Sequence, residues 1–231
     1  MFKLAKSHNW LIFSLIDPEL EKRISQYMSG CMVDIGCGIK PYEHMASKYV
    51  DKHIGVDHSE TIHDRSKIDI MGTVYNIPVD DNQFDCLLCT DVLEHLEEPS
   101  DALAESFRIL KPGGYAIFTV PLFWHLHEVP RDFYRYTKYG LEYLFKKNGF
   151  DIVEIKAISG FCVTFAQEFV YFLYRFRKGG IINPLWWVIP ILGMIIQSVA
   201  YILNKIDSSE DFTIEYIAVV KKTNTNNIIE M

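Results

Sequence analysis

The chain has 231 residues, of which 49% are hydrophobic and 23% charged, with a formal net charge of -7 at pH 7. That length suits one domain with a sizeable core and an appendage, and the composition excludes a broadly disordered chain. The acidic balance and the lack of a long basic run exclude a nucleic-acid partner, because phosphate contacts need clustered Lys and Arg.

The N-terminal "MFKLAKSHNWLIFSLIDPEL" holds a short apolar run with no small-residue cleavage site. It reads as an amphipathic lead-in or lid, not a signal peptide. Pro18 at a first helical position, with Ser29-Gly30 beyond the end, predicts a helix over 18–28. "CMVDIG" is a first strand, followed by a glycine loop and a short helix within "PYEHMASKYV". "HIGVD" is a second strand and "KIDIM" a weaker third. "FDCLLCT" is apolar on both faces, as in a parallel strand covered by helices. Cys86 and Cys89 within it point to opposite faces, which argues against a metal site. All five cysteines (Cys31, Cys37, Cys86, Cys89, Cys162) read as reduced, cytoplasmic thiols.

Ser100 is the expected N-cap of the next helix, which places Leu103, Phe107 and Leu110 on one face and stops at Gly113-Gly114. "YAIFTVP" is a fifth strand. Thr137 caps "KYGLEYLFKKNG", and Gly149 ends it. "FDIVEIKAI" and "FTIEYIAVVKK" are the sixth and seventh strands. Alternating strands and helices predict an α/β, Rossmann-like doubly wound sheet.

A strand, a glycine loop and a helix place backbone N–H groups before a ligand. Gly36 and Gly38 allow close approach. Asp57 ends the second strand roughly twenty residues on, where a carboxylate accepts ribose hydroxyls. Two adenosine-type ligands share this plan. A dinucleotide fingerprint needs a third glycine where Pro41 stands. Asp34, just before the loop, suits a ligand bearing an ammonium, as S-adenosylmethionine (SAM) does.

"VDIGCGIKPY", "IGVDHS", "NIPVDDNQFDCLLCTDVLEHLEEPSDALAESFRILKPGGYAIFTVP" and "KNGFDIVEI" resemble a class I SAM-dependent methyltransferase over residues 31–156, with a closing strand at 212–221. The resemblance implies a seven-stranded sheet with helices on both faces, SAM as cofactor with S-adenosylhomocysteine as product, and no metal. It implies that Asp34, Gly36 and Gly38 hold the methionine end. Asp57 with His58 would hold the ribose, Thr73 and Val74 the adenine, and Thr90 and Asp91 the sulfonium side. Thr73 stands where the family often has Asp. Glu94 and His95 match the family's "LEH", which reads as packing and helix capping.

After the fifth strand comes "PLFWHLHEVPRDFYRYT". Catalytic groups of open α/β sheets lie at such strand ends. A hydroxyl acceptor needs a base. His127 or Asp132 is the expected base, with His125, Arg131, Arg135 and Tyr136 binding the acceptor. "HEVPRDFYRYT" also resembles bacterial methyltransferases associated with cell-surface glycan synthesis. An Asn-Pro-Pro-aromatic motif is missing after the fourth strand, which argues against N-methylation of that type.

Residues 158–174 and 181–204 form a hydrophobic insertion before the last strand. The second run is long enough to span a bilayer. A return to the same sheet requires two spans or none, and two would carry "RFRKGG" across, against the positive-inside rule. The expectation is a helical hairpin in the membrane interface, with Trp186 and Trp187 at headgroup depth and Arg175, Arg177 and Lys178 near anionic lipid. A homodimer interface or acceptor-site cover is the soluble alternative.

The expected organisation is a lead-in over 1–30, a SAM-binding core over 31–156, the insertion over 157–211, a closing strand over 212–221 and a tail over 222–231. The expected protein is cytoplasmic or peripheral on the inner face of the cell membrane. Its acceptor would be a saccharide or lipid-linked precursor. The alternatives are a small soluble metabolite or quinone-like lipid, or a non-catalytic SAM-binding partner.

Overall fold

A computed structural model describes residues 7–60, 64–207 and 209–223. The strands are β1 (Cys31–Ile35), β2 (Lys52–Asp57), β3 (Ile70–Met71), β4 (Phe84–Thr90), β5 (Leu110–Pro121), β6 (Phe150–Ala157) and β7 (Glu215–Lys222). They form one seven-stranded sheet in the order β3-β2-β1-β4-β5-β7-β6. The pairs β1–β2, β1–β4, β2–β3 and β4–β5 are all parallel. The carboxyl ends of β1, β2, β4 and β5 therefore share one edge of the sheet.

The chain divides into two compact units. The sheet unit comprises 20–121, 126–156 and the residues from Tyr216 onward. Its core is the apolar strand interior: Met32, Val33, Leu87, Leu88, Ile117 and Phe118 are fully buried. Burial on both faces is why these strands read as continuous apolar runs. The second unit comprises the described residues up to Glu19, 122–125 and 157–215. It gathers the hydrophobic insertion with the first half of the lead-in helix and four residues after β5. The boundary falls inside the lead-in, between Glu19 and Leu20.

Several local expectations are corrected. Helix α1 runs Trp10–Tyr27 with Pro18 inside it. Leu11, Ile12, Ile16, Leu20 and Ile24 are all buried along it. That tertiary burial outweighs the backbone hydrogen bond that Pro18 cannot make. Helix α2 (Glu43–Ala46) is only 4 residues long, and β3 only 2. Helix α3 spans Pro99–Ile109, with proline at its first turn and no side-chain cap. Ser100 does not cap it, because it already lies in the first turn of the helix, where its hydroxyl accepts from Asn148 Nδ2 at 3.2 Å. The "KPGG" stretch belongs to β5, where the register with β4 shifts between Phe84 and Cys86. These glycines mark an irregularity in the ladder and do not stop a helix. Helix α4 (Lys138–Lys147) begins as expected, with the Thr137 hydroxyl accepting from Gly140 N at 3.1 Å.

In the second unit, helices α5 (Phe161–Tyr174) and α6 (Leu185–Leu203) form a hairpin. Gly193 packs within 3.4 Å of Tyr174 and 3.5 Å of Val170 on the position a Cβ would take. The N-terminus of α5 is capped from beyond α6. Asp207 accepts from Cys162 N at 2.7 Å, and Ser209 Oγ accepts from Phe161 N at 3.0 Å. The Ser209 hydroxyl, donating to Asp207, and then Cys162 N hold the Asp207 carboxyl down at about 2. Two buried glutamines tie the hairpin to the lead-in: Gln197 Oε1 accepts from Leu11 N at 3.0 Å, and Gln167 Nε2 donates to His8 O at 2.6 Å.

Candidate active site

The loop after β1 is built on Gly36, whose φ is +68°. A Cβ there would lie 2.4 Å from Val92 Cγ2. Both the backbone angle and the space require glycine. The loop does not lead straight into a helix, since α2 begins only at Glu43. Its N–H groups are used within the protein. Gly36 N and Cys37 N donate to Val56 O, and Gly38 N donates to the Asp57 carboxylate at 3.0 Å. The expectation of free helix-terminal N–H groups is therefore corrected, because short local partners satisfy them.

Asp57 is buried at the end of β2, and its other oxygen accepts from His58 N at 2.8 Å. A carboxylate has about four acceptor sites. Two N–H donors leave room for a pair of ligand hydroxyls. His58 itself turns its Nδ1 to Glu60 N. Asp34 is buried one residue before the end of β1 and meets His53 Nε2 at 2.8 Å. Burial pushes the Asp34 carboxyl up, while the His53 bond pulls it back. Lys40 braces the loop from beneath, donating to His53 O and to Asp69. Burial raises the Cys37 thiol between these acids to about 12, so it stays protonated. His53 was not singled out from the sequence. Only the register of β1 against β2, which places it diagonal to Asp34, reveals the pair.

Thr73 and Val74 form the turn before Ile77, with Thr73 bridged to Asn76. Asp91 leaves β4 at φ +53° and accepts from Thr119 Oγ1 at 2.9 Å. Thr90 ends β4 beside Thr119.

Beyond β5, the sheet unit gathers a second group. Asp132 is locked by Arg135, whose Nη1 and Nη2 donate to its two oxygens at 2.6 and 2.9 Å. Asp132 also accepts from His127 N at 2.9 Å, and the His127 Nδ1 lies 3.5 Å from it. The Arg135 guanidinium holds the Asp132 carboxyl far below the usual carboxylate range. Burial, and then the neighbouring His95, lower the His127 imidazole. His95 and His127 meet edge to face with ring centroids 4.6 Å apart. The His95 Nδ1 lies against the Arg131 carbonyl oxygen. Glu94 is 1% exposed, and burial together with the Asp91 charge pushes its carboxyl well up.

This arrangement alters several sequence expectations. Asp132 is held by both guanidinium nitrogens of Arg135, which lowers its affinity for a proton, and it lies beside His127. Arg135 is spent on Asp132 and on Tyr134 O. Tyr136 is buried, with its hydroxyl donating to Leu93 O at 2.8 Å, so it does not face a ligand. Arg131 is exposed and reaches Glu60 at 3.4 Å. His125 and His127 fall in different units. His125 stacks on Trp124 and lies 3.5 Å from Glu168, both within its own unit. Glu94, His95 and His127 bring ligand atoms within 4.8 Å of one another, a donor set that a divalent ion accepts. The sequence had suggested no such trio, because its members are joined only by the fold.

Parallel strands with two acidic residues and a glycine loop at their carboxyl ends make up an α/β, Rossmann-like methyltransferase fold. Residues 33–118 match the family described as "Methyltransferase domain". An uncharacterised methyltransferase of Schizosaccharomyces pombe is 28% identical over 131 residues, covering 48% of this chain and 46% of its own. A ubiquinone biosynthesis O-methyltransferase of Coxiella burnetii is 29% identical over 146 residues, covering 57% of this chain and 59% of its own. A Haemonchus contortus phosphoethanolamine N-methyltransferase bound to S-adenosylhomocysteine shares the fold, with a TM-score of 0.55 at 19% identity over 94% of this chain and 56% of that one. The chain thus spans less than two thirds of the length of these relatives.

Proposed function

We propose that this protein is a SAM-dependent O-methyltransferase acting on a saccharide or on a lipid-linked precursor at a membrane. The observation that carries the reading is the His127–Asp132–Arg135 chain at the edge of the sheet where β1 and β2 present Asp34 and Asp57. Gly36 and Gly38 with Asp34 hold the methionine end of the cofactor, Asp57 with His58 the ribose, Thr73 and Val74 the adenine, and Thr90 and Asp91 the sulfonium side. When bound, the cofactor supplies an electrophilic methyl group that needs no metal.

The rest of the chemistry belongs to the protein. A sugar hydroxyl is a weak nucleophile until a base takes its proton. His127 is kept neutral by its lowered pKa, so its ring can accept that proton. The Asp132 carboxylate 3.5 Å away then stabilises the imidazolium. Arg135 keeps Asp132 ionised and fixed. Arg131 is exposed at the same loop and orients an acceptor carrying negative charge.

A second reading changes the acceptor to a quinone-like lipid or small metabolite, and the Coxiella O-methyltransferase favours it. A third keeps SAM binding without transfer. Incubation with methyl-labelled SAM and an extract of the source cells separates the three. Label in organic-soluble or precipitable carbohydrate supports the first. Label confined to small hydrophobic or aqueous metabolites supports the second. S-adenosylhomocysteine binding without label in any fraction supports the third.

A further inference from the structure

The α5–α6 hairpin is inside out for a soluble element. On α6 the buried positions are Ile189, Gly193, Gln197 and Ala200, three of them small or polar. The exposed positions include Val188, Ile191, Leu192, Ile195, Val199 and Ile202, aliphatic residues 50–65% exposed except Leu192 at 40%, with Trp187 and Tyr201 beside them and Ser198 as the exposed polar residue. An amphipathic helix of a globular protein shows the opposite arrangement. Helix α5 adds a stripe of Phe161, Phe165, Phe169 and Phe172, continued by Phe176 just beyond its end, each 43–50% exposed and spaced by about one helical turn. An apolar surface of this kind marks a contact with something equally apolar.

The charges say what it contacts. The chain carries a net charge of -7, yet every charged residue from Phe169 to Ile206 is basic: Arg175, Arg177, Lys178 and Lys205. Three stand at the tip between the helices and one follows α6. The tip is held in place. Asn183 Nδ2 donates to Phe176 O and Lys178 O at 2.9 and 2.8 Å. The Arg177 guanidinium lies 4.2 Å from the Trp186 ring and 5.0 Å from the Tyr174 ring. This leaves Arg175 and Lys178 exposed beside it.

We infer that this hairpin lies in the plane of an anionic bilayer, with its aliphatic and phenylalanine faces among the acyl chains and its basic ends at the phosphates. The inference rests on the membrane part of the functional reading and deepens it to a headgroup charge and an orientation. Spanning does not fit the geometry. Helix α5, at 14 residues, is about 21 Å long against an apolar bilayer thickness of about 30 Å. The tip would also carry three cations through the acyl core. Basic residues at both ends and none on the faces between them suit a helix pair lying flat.

The test is flotation of the full-length protein with vesicles of phosphatidylcholine alone and of phosphatidylcholine with phosphatidylglycerol. The wild type is expected to float with the mixed vesicles and to blue-shift its tryptophan emission. Each removed charge should weaken binding about fivefold, so Arg175→Gln/Arg177→Gln/Lys178→Gln should weaken it about a hundredfold. Ile191→Ser/Ile195→Ser/Val199→Ser should abolish it. S-adenosylhomocysteine binding, measured in parallel, should be unchanged in both variants. Equal flotation with neutral vesicles would overturn the inference. So would resistance of the native membrane-bound protein to alkaline extraction, which marks a spanning protein. A dimer in solution that the Ile191/Ile195/Val199 variant dissolves, without flotation by the wild type, would also overturn it in favour of a second copy. None of these readouts needs methyl transfer, so failure here and failure of the enzymatic reading are distinguishable.

Discussion

Gly36→Ala should damage the cofactor loop through two separable terms. The first is conformational. Gly36 has φ +68°, and an L-residue in the left-handed region costs about 1–2 kcal/mol. The second is steric. The new Cβ would lie 2.4 Å from Val92 Cγ2, more than 1 Å inside the roughly 3.5–4.0 Å optimum for carbon contacts. Val92 immediately precedes the buried Leu93 and Glu94, so it cannot swing away freely, and overpacking of this kind costs about 1–3 kcal/mol. The sum is about 2–5 kcal/mol, and in a chain of this size each kcal/mol lowers Tm by roughly 2–4 °C. Thermal unfolding and calorimetric titration with S-adenosylhomocysteine read the two effects. Val92→Ala supplies the control. In Gly36→Ala/Val92→Ala the clash is gone and the backbone term remains, so a coupling of about 1–3 kcal/mol should appear in the double-mutant cycle. Strict additivity of the two single changes would refute the steric half of the reasoning. A wild-type Tm for Gly36→Ala alone would refute both halves.

Three further outcomes follow from the site. His127→Ala should lower kcat by about 10²–10⁴-fold with S-adenosylhomocysteine affinity unchanged. The wild-type kcat/KM should fall on the acid side below the ordinary histidine value of about 6.5, because burial lowers this imidazole and only its neutral form accepts a proton; an acid limb above that value would contradict the assignment. Asp132→Asn should destabilise the protein by about 2–3 kcal/mol, below the usual 3–5 for breaking a buried pair because Arg135 is partly exposed. The folded carboxyl is depressed, so its stabilisation is present above the unfolded value of about 3.9 and lost as pH falls through the folded one; melts of wild type and variant should therefore converge on acidification. Tyr136→Phe should cost about 1 kcal/mol of stability through the lost bond to Leu93 O and leave the acceptor KM unchanged, and a raised KM would restore Tyr136 to the binding site.

The α/β class, the seven strands and the glycine loop were legible in the sequence because local rules determine them. Apolar runs buried on both faces, Gly36 at a forced angle and Thr137 at a helix start each depend on residues a few positions apart. Asp34 and Asp57 were equally legible, since Asp57 ends its strand and Asp34 stands one residue before the end of its own. Helix α1 was misread at Pro18 because a local stop signal lost to burial of Leu11, Ile12 and Ile16. The pairing of His53 with Asp34 depended on strand register. The meeting of His127 with Glu94 and His95 depended on two strand exits being neighbours in the sheet. Likewise, Asp132 looked like a base until Arg135 was seen to hold both of its oxygens, and Tyr136 looked like a ligand-binding residue until its hydroxyl was found buried on Leu93. Sequence by itself determined which residue types were available and where each element began its period. Tertiary structure alone decided which of those polar groups were already satisfied, because a hydrogen-bond partner dozens of residues away leaves no local trace.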